Sequence, residues 1–103
     1  MQNPAFTHHV FFYLKNPGNT TDRDALMAGL KKMAAISLIR EYQIGLPAPS
    51  ERSVVDNSWS VSWLNVFDSA EDEAAYQVHP LHDEFVEKCK HLWEKVVVFN
   101  AFG

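Results

Sequence analysis

The chain has 103 residues, of which 47% are hydrophobic and 21% are charged, and its formal net charge at pH 7 is −4. This length suits one domain with its own core, so we treat residues 1–103 as a single domain. The sequence has no basic cluster, which argues against nucleic acid as a partner, and no apolar run long enough to span a bilayer. We therefore expect a cytoplasmic protein that contacts neither nucleic acid nor membrane.

The first half of the chain predicts a strand, a helix and a second strand. Residues 7–14 are rich in aromatic and β-branched types and are followed by an Asn-Pro-Gly turn, which is typical of a strand end. A helix is expected to begin with Thr21 as its cap, because apolar residues then recur at helical spacing to about residue 35. A second strand is predicted over residues 38–45.

The second half predicts a third strand, a broken helix and a final strand. Strand three covers residues 59–67, and Ser69 caps a short helix behind it. Pro80 suits the first turn of a helix, so the helix restarts there and runs to about residue 94. Residues 95–102 complete the fold. The resulting order is βαββαβ, an α+β architecture with an antiparallel sheet.

The outer strands of this chain are apolar on both faces. An antiparallel sheet with helices on one side usually has a polar second face. In strand one, by contrast, apolar and aromatic residues occupy both alternating sets, which are His9, Phe11 and Tyr13 on one side and His8, Val10, Phe12 and Leu14 on the other. The chain itself supplies no cover for the second apolar face, so we predict a homodimer in which the sheets of two copies pack face to face, with His8 at the dimer seam.

The segment from Tyr76 to His82 places ionisable groups on an apolar helix face. If the helix restarts at Pro80, His82 lies in its first turn and points inward with the residues three, four, seven and eleven positions later. Those residues are Phe85, Val86, Cys89 and Trp93. The sequence Tyr-x-x-His-Pro-x-His therefore carries the best candidate for a functional site.

This motif resembles that of the stress-responsive α/β-barrel domain (Dabb) family, as do a histidine opening strand one, Phe67-Asp68-Ser69 and Trp93-Glu94-Lys95. The resemblance runs from His9 to Phe99. It implies a dimeric ferredoxin-like α/β barrel, and most members of the family have no assigned activity. A plant member cyclises a polyketide with the tyrosine and the second histidine of the motif, which match Tyr76 and His82.

A pocket is expected between the sheet and the helices. Counting by two along the strands places His9, Phe11 and Tyr13 on the helix-facing side, with Trp59, Val61, Trp63 and Asn65 from strand three. The family resemblance implies a pocket lined by His9, Phe11, Tyr13, Arg40, Tyr42, Trp63, Phe85, Trp93, Val96 and Val98. Ala25 and Gly29 stand where the related cyclase carries aromatic residues, so the shape of the pocket is expected to differ.

Two interpretations of the site follow. A helix amino terminus and apolar walls both favour neutral imidazole, so His82 could act as a base while Tyr76 donates to a developing enolate oxygen. Alternatively, both residues only pack, and the protein is a small-molecule binder or a stabilising oligomer. His79 either anchors the helix break through a backbone bond or touches ligand. The His-Pro-x-His spacing does not match a zinc site, so neither a metal nor a cofactor is expected.

Overall fold

The computed structural model describes residues 4–103 and shows one sheet covered on one face by helices. The strands are β1 (Phe6–Leu14), β2 (Glu41–Gly45), β3 (Val61–Phe67) and β4 (Trp93–Phe102). The helices are α1 (Thr20–Met33), α2 (Ala70–Gln77) and α3 (Pro80–Cys89), and a 3-10 turn over Lys90–Leu92 joins α3 to β4. The predicted βαββαβ order with a broken second helix is confirmed.

The sheet is antiparallel and has the order β2-β3-β1-β4, so the first and third strands lie at its centre. Both crossover connections place their helices on the same side of the sheet. The shortest dimension of the Cα trace is 17 Å, which is the thickness of one sheet and one helix layer. Within residues 4–103, therefore, the second face of the sheet has no helical cover.

The boundaries of α1 and β2 differ from the prediction for local reasons. Asn19, not Thr21, caps α1, because its side-chain oxygen accepts a hydrogen bond from the amide of Asp22 at 3.0 Å. Residues 36–39 form turns, since the amide of Ile39 donates to the carbonyl of Ile36 at 3.1 Å. These turns delay the start of β2 to residue 41.

The predicted face of β1 is wrong. The structure buries His8, Val10 and Phe12 beneath the helices and turns His9, Phe11 and Tyr13 to the opposite face. Pairing with β3 shows why: the inward residues of β1 lie opposite its buried residues, as in Val10↔Trp63 and Phe12↔Val61. Residues directly opposite each other share a face of the sheet, so the phase of β3 determines that of β1.

The outer face of the sheet, which we define by His9, Phe11, Trp59 and Phe99, carries a cluster of aromatic rings. The Phe11 ring lies 4.2 Å from that of His9, 5.1 Å from that of Trp59 and 6.0 Å from that of Phe99. Phe99 is 63% exposed. An exposed aromatic group of this kind is unusual on a monomer and is typical of an interaction surface.

The helix layer is held by close approach of α1 to α3. A Cβ added at Gly29 would lie 2.7 Å from Cys89 Sγ and 3.2 Å from the Phe85 ring, so a larger residue at this position would force those side chains to shift. Cys89 is buried and packs as a small apolar side chain. No helix within residues 4–103 is long and apolar enough to cross a membrane.

Candidate functional site

The break between α2 and α3 brings the ends of the motif onto one side of the helix layer. His79 caps α3: its Nδ1 accepts a hydrogen bond from the amide of Leu81 at 3.0 Å, and Pro80 occupies the first turn. The amide of His79 in turn donates to the carbonyl of Tyr76 at 3.1 Å, and the amide of His82 donates to the carbonyl of His79 at 2.9 Å. His79 thus makes the backbone bond expected of an anchor at the break.

Tyr76 presents a neutral hydroxyl to the interior. Its side chain is 1% exposed, and its Oη accepts a hydrogen bond from Trp63 Nε1 at 2.9 Å and donates to Met33 Sδ at 3.6 Å. Burial raises the pKa of Tyr76 to about 12, with the hydrogen bond from Trp63 opposing and the charge of Glu73 adding to the rise. The phenol therefore stays protonated at pH 7 and acts as a hydrogen-bond donor.

His82 meets the Tyr76 ring edge to face, with the ring centroids 4.9 Å apart and the planes at 82°. Burial is the main influence on its pKa and lowers it; the charges of Asp83 and Glu73 oppose this, and His8 adds to it. The imidazole is therefore mainly neutral at pH 7 and can accept a proton. Unlike the rings of His8 and His79, the His82 ring has no hydrogen-bond partner in residues 4–103.

His8 is the functional candidate that sequence reasoning placed on the wrong face. It is buried, and its Nδ1 lies 2.7 Å from Asn100 Oδ1 and 3.6 Å from Glu73 Oε1. Because both neighbours accept hydrogen bonds, Nδ1 carries the proton and Nε2 keeps its lone pair in the neutral ring. The His8 ring is also edge-on to Tyr76, at 5.9 Å between centroids.

A cavity of about 180 Å³ lies between the sheet and the helices and reaches all three of these rings. Its remaining walls are apolar or aromatic apart from one amide, and they comprise Val10, Phe12, Met33, Trp63, Gln77, Phe85, Val86, Trp93, Val96 and Val98. On β4 the cavity opens to solvent, because Val98 is 45% exposed. Drug-sized ligands use pockets of about 300–1,000 Å³, so this cavity suits a more compact molecule.

The structure brings together seven of the residues expected at the site, which all line the cavity: Tyr76, His82, Trp63, Phe85, Trp93, Val96 and Val98. Tyr42 is half-exposed, and its ring is tilted against that of Trp63, with 5.6 Å between the centroids, without lining the cavity. Arg40 is exposed and pairs with Asp68 at 3.2 Å, away from the cavity walls. His79 serves the helix break, as described above.

The remaining residues expected to line the pocket do not lie in it. His9, Phe11 and Tyr13 lie on the outer face of the sheet, where Lys95 Nζ sits 4.5 Å from the Tyr13 ring. Trp59 also lies there, against Phe11. The β1 error arises because alternation fixes which residues share a face but not which face the helices cover, and a strand that is apolar on both sides gives no further signal. Trp59 differs for another reason: β3 begins at Val61, so Trp59 precedes the strand and does not follow its alternation.

The β3 residues Val61, Trp63 and Asn65 face the helices as expected. Asn65 is fully buried opposite His8, and neither polar atom of its amide has a hydrogen-bond partner in residues 4–103. Across the same described residues, no group of three or more His, Cys, Asp or Glu side chains is arranged to hold a metal ion.

Comparison with known proteins gives a consistent fold. A structure described as a Dabb family protein with a ferredoxin-like fold, from Mesorhizobium loti, has a TM-score of 0.77 at 20% identity, over 95% of both chains. A protein of unknown function from Bacteroides fragilis, described as dimeric and ferredoxin-like, has a TM-score of 0.74 at 21% identity over 96% of both chains. The hydroxynitrile lyase from Passiflora edulis has a TM-score of 0.81 at 20% identity, over 98% of this chain and 94% of that one.

At this level of identity, the structural likeness establishes the ferredoxin-like fold alone. The sequence matches none of the curated proteins. The model of the stress responsive A/B barrel domain, Dabb, matches residues 6–102, which is nearly the whole chain. Together with the fold and the Tyr-x-x-His-Pro-x-His segment at its helix break, this match shows that the chain belongs to the stress responsive A/B barrel domain family.

Proposed function

We propose that this protein binds a compact, largely apolar molecule with one carbonyl or hydroxyl oxygen in the cavity between the sheet and the helices. The observation that carries the proposal is that Tyr76 and His82 are paired edge to face at 4.9 Å and line the same cavity. The apolar walls would bury the body of the ligand, and the two polar rings would orient its oxygen.

The hydroxyl of Tyr76 is available to such an oxygen. Its proton is directed at Met33 Sδ, 3.6 Å away, and a thioether is a weak acceptor. A carbonyl oxygen in the cavity would accept the same proton more strongly. The hydrogen bond from Trp63 holds the phenol oxygen in place, so the donor is positioned before the ligand arrives.

We also propose that the protein is a homodimer joined through the outer face of the sheet. The aromatic cluster of Phe11, Trp59 and Phe99 on that face supports this, because a second copy would bury it. The dimeric description of the Bacteroides fragilis structure points the same way. The cytoplasm remains the proposed location.

A binding test separates the cavity from the rest of the surface. Acetophenone and its alcohol, 1-phenylethanol, are suitable probes, titrated while the His82 ring resonances are followed by NMR. Tyr76→Phe should weaken ketone binding by about 5- to 10-fold, the equivalent of one hydrogen bond. Tyr42→Phe is the matched control, because Tyr42 lies outside the cavity walls, and it should bind as the parent does. Equal weakening by both variants, or no binding, would contradict the proposal.

Acid–base catalysis is the second candidate function. It is favoured by the opposite perturbation of two neighbouring groups: burial lowers the pKa of His82 and raises that of Tyr76 to about 12. Neutral His82 would take a proton from the carbon next to a carbonyl, and the Tyr76 hydroxyl would stabilise the resulting enolate oxygen by a hydrogen bond. The fold likeness to a lyase is compatible with such chemistry.

Proton exchange tests the catalytic candidate directly. In deuterated buffer, the protein should speed the loss of the methyl proton signal of acetophenone, and His82→Gln should abolish this acceleration while the ketone still binds. If the exchange rate does not exceed that in buffer alone, or if His82→Gln does not change it, the catalytic candidate is wrong and only the binding function remains.

A further inference from the structure

A second cavity, larger than the candidate site, lies between α1 and α3. We call it the α1–α3 groove. Its volume is about 270 Å³, and its walls are Ala25, Ala28, Gly29, Lys32, Leu81, Glu84, Phe85, Lys88, Cys89, His91 and Leu92. The groove is open to solvent, since Ala25, Ala28, Lys32 and Lys88 on its walls are exposed. The groove exists because α1 presents small side chains where it faces α3.

The groove is separate from the Tyr76–His82 cavity. Among the residues that the structure describes, Phe85 alone lines both spaces, and its ring forms part of both walls. That ring is fixed by stacking on Trp93 at 5.7 Å and by an edge contact with Phe12 at 6.0 Å. An occupant of the groove therefore need not touch the candidate site.

Charged groups at the rim favour an anionic occupant. Lys88 Nζ is paired with Glu84 Oε1 at 2.7 Å, whereas Lys32 forms no ion pair within residues 4–103. The Lys32 side chain lines the groove together with those of Glu84 and Lys88. With Glu84 neutralised by Lys88, Lys32 supplies an excess positive charge.

The dimensions and chemistry of the groove fit an aliphatic carboxylate. Ala25 and Lys32 mark its extent along α1, and seven residues of helix cover about 10 Å, close to the length of extended octanoate. The chain would lie on the alanine, leucine and cysteine side chains, and the carboxylate would reach Lys32. We propose that the α1–α3 groove is a second ligand site, which binds an aliphatic carboxylate of about this length.

Binding of octanoate tests the site, with butyrate and octanamide as comparisons. Each methylene removed from water contributes up to about a fourfold gain in affinity, so octanoate should bind much more tightly than butyrate. Octanamide has the same chain without the charge and should bind about two- to fivefold more weakly, as expected for a solvent-exposed charge pair. The methyl resonances of Leu81 and Leu92 should shift, while those of Val96 and Val98 should not.

Variants with opposite expected effects sharpen the test. Lys32→Gln should weaken octanoate binding about two- to fivefold, whereas Lys31→Gln, on the neighbouring residue outside the groove, should not. Glu84→Gln removes a repelling carboxylate and frees Lys88, so it should strengthen binding. Ala25→Phe should fill the groove and abolish binding, and Ala74→Phe on α2 is its matched control.

Several outcomes overturn the proposal. It fails if octanoate does not bind, if octanamide binds equally well, if Lys31→Gln and Lys32→Gln have the same effect, or if octanoate shifts the cavity valines instead of the groove leucines. Loss of ketone binding or of proton exchange at Tyr76 and His82 does not bear on it, because those readouts come from the other cavity.

Discussion

The hydrogen bond between Trp63 and Tyr76 should be a major stabilising contact of the interior, and Tyr76→Phe removes it. The Trp63 side chain is 1% exposed, and the substitution removes the acceptor that lies 2.9 Å from its Nε1. An unsatisfied buried donor costs about 1–3 kcal/mol, and the bond lost to Met33 adds little because a thioether is a weak acceptor. We expect the free energy of unfolding to fall by that amount, and Tm by about 4–8 °C for each kcal/mol.

A double-mutant cycle isolates the contribution of the bond. Unfolding in urea would be followed by far-ultraviolet circular dichroism at one protein concentration for the parent, Tyr76→Phe, Trp63→Phe and the double variant. Trp63→Phe removes the donor, so the cost of Tyr76→Phe should fall by about 1 kcal/mol in that background. Tyr42→Phe changes a half-exposed tyrosine beside the same tryptophan and should be nearly neutral.

Equal costs of Tyr76→Phe in the presence and absence of the Trp63 indole would refute this reasoning. The ketone affinity and proton-exchange rate of Tyr76→Phe provide a second, independent measurement of the role of its hydroxyl. If Tyr76→Phe lowers stability but leaves ketone affinity and proton exchange intact, the hydroxyl serves the core alone and the catalytic candidate is lost.

Three further outcomes can be measured on purified protein. Because burial lowers the pKa of His82 in the folded state, the unfolded chain holds more protons, so the free energy of unfolding should decrease as pH falls from about 6.5 through the lowered folded-state pKa. His82→Gln should flatten this dependence in urea titrations without abolishing it, since burial also lowers the pKa of His9; an unchanged slope would contradict the burial of His82. Phe99→Asp places a charge on the outer face of the sheet and should give a folded monomer in sedimentation velocity, whereas a stable dimer would exclude this face as the interface. Gly29→Ala should cost about 1–3 kcal/mol through overpacking against Cys89 Sγ at 2.7 Å, and Cys89→Ala should remove most of that cost, which calorimetry would detect; a cost unchanged by Cys89→Ala would place the strain elsewhere.

The order of elements was predictable because each element carries its own local signal. Apolar residues at helical spacing mark α1, and Pro80 marks the restart at α3, where the structure places it in the first turn. The inward position of His82 was also predictable, because it follows from spacing within one short helix. Tyr76 and His82 share a cavity as the motif suggested.

The orientation of β1 was not predictable from that strand alone. The alternating set that begins at His8 and the set that begins at His9 are equally apolar. Alternation along β1 therefore does not show which face the helices cover. The pairing with β3 resolves it, because the register sets Val10 opposite Trp63 and Phe12 opposite Val61, and both of these β3 residues face the helices. Likewise, no local pattern indicates that Asn100 on β4 holds the Nδ1 proton of His8 at the opposite end of the sequence.

Because of the helix break, the position of Tyr76 relative to His82 depends more on the number of residues between α2 and α3 than on which residues these are. In one unbroken helix, two residues six positions apart would point about 120° away from each other around the axis. The interruption at His79 and Pro80 cancels that rotation and directs both rings into one space. Substitution of Val78, which is exposed, should therefore be tolerated, whereas inserting or deleting a single residue between the two helices would turn one ring away from the other and dismantle the pair.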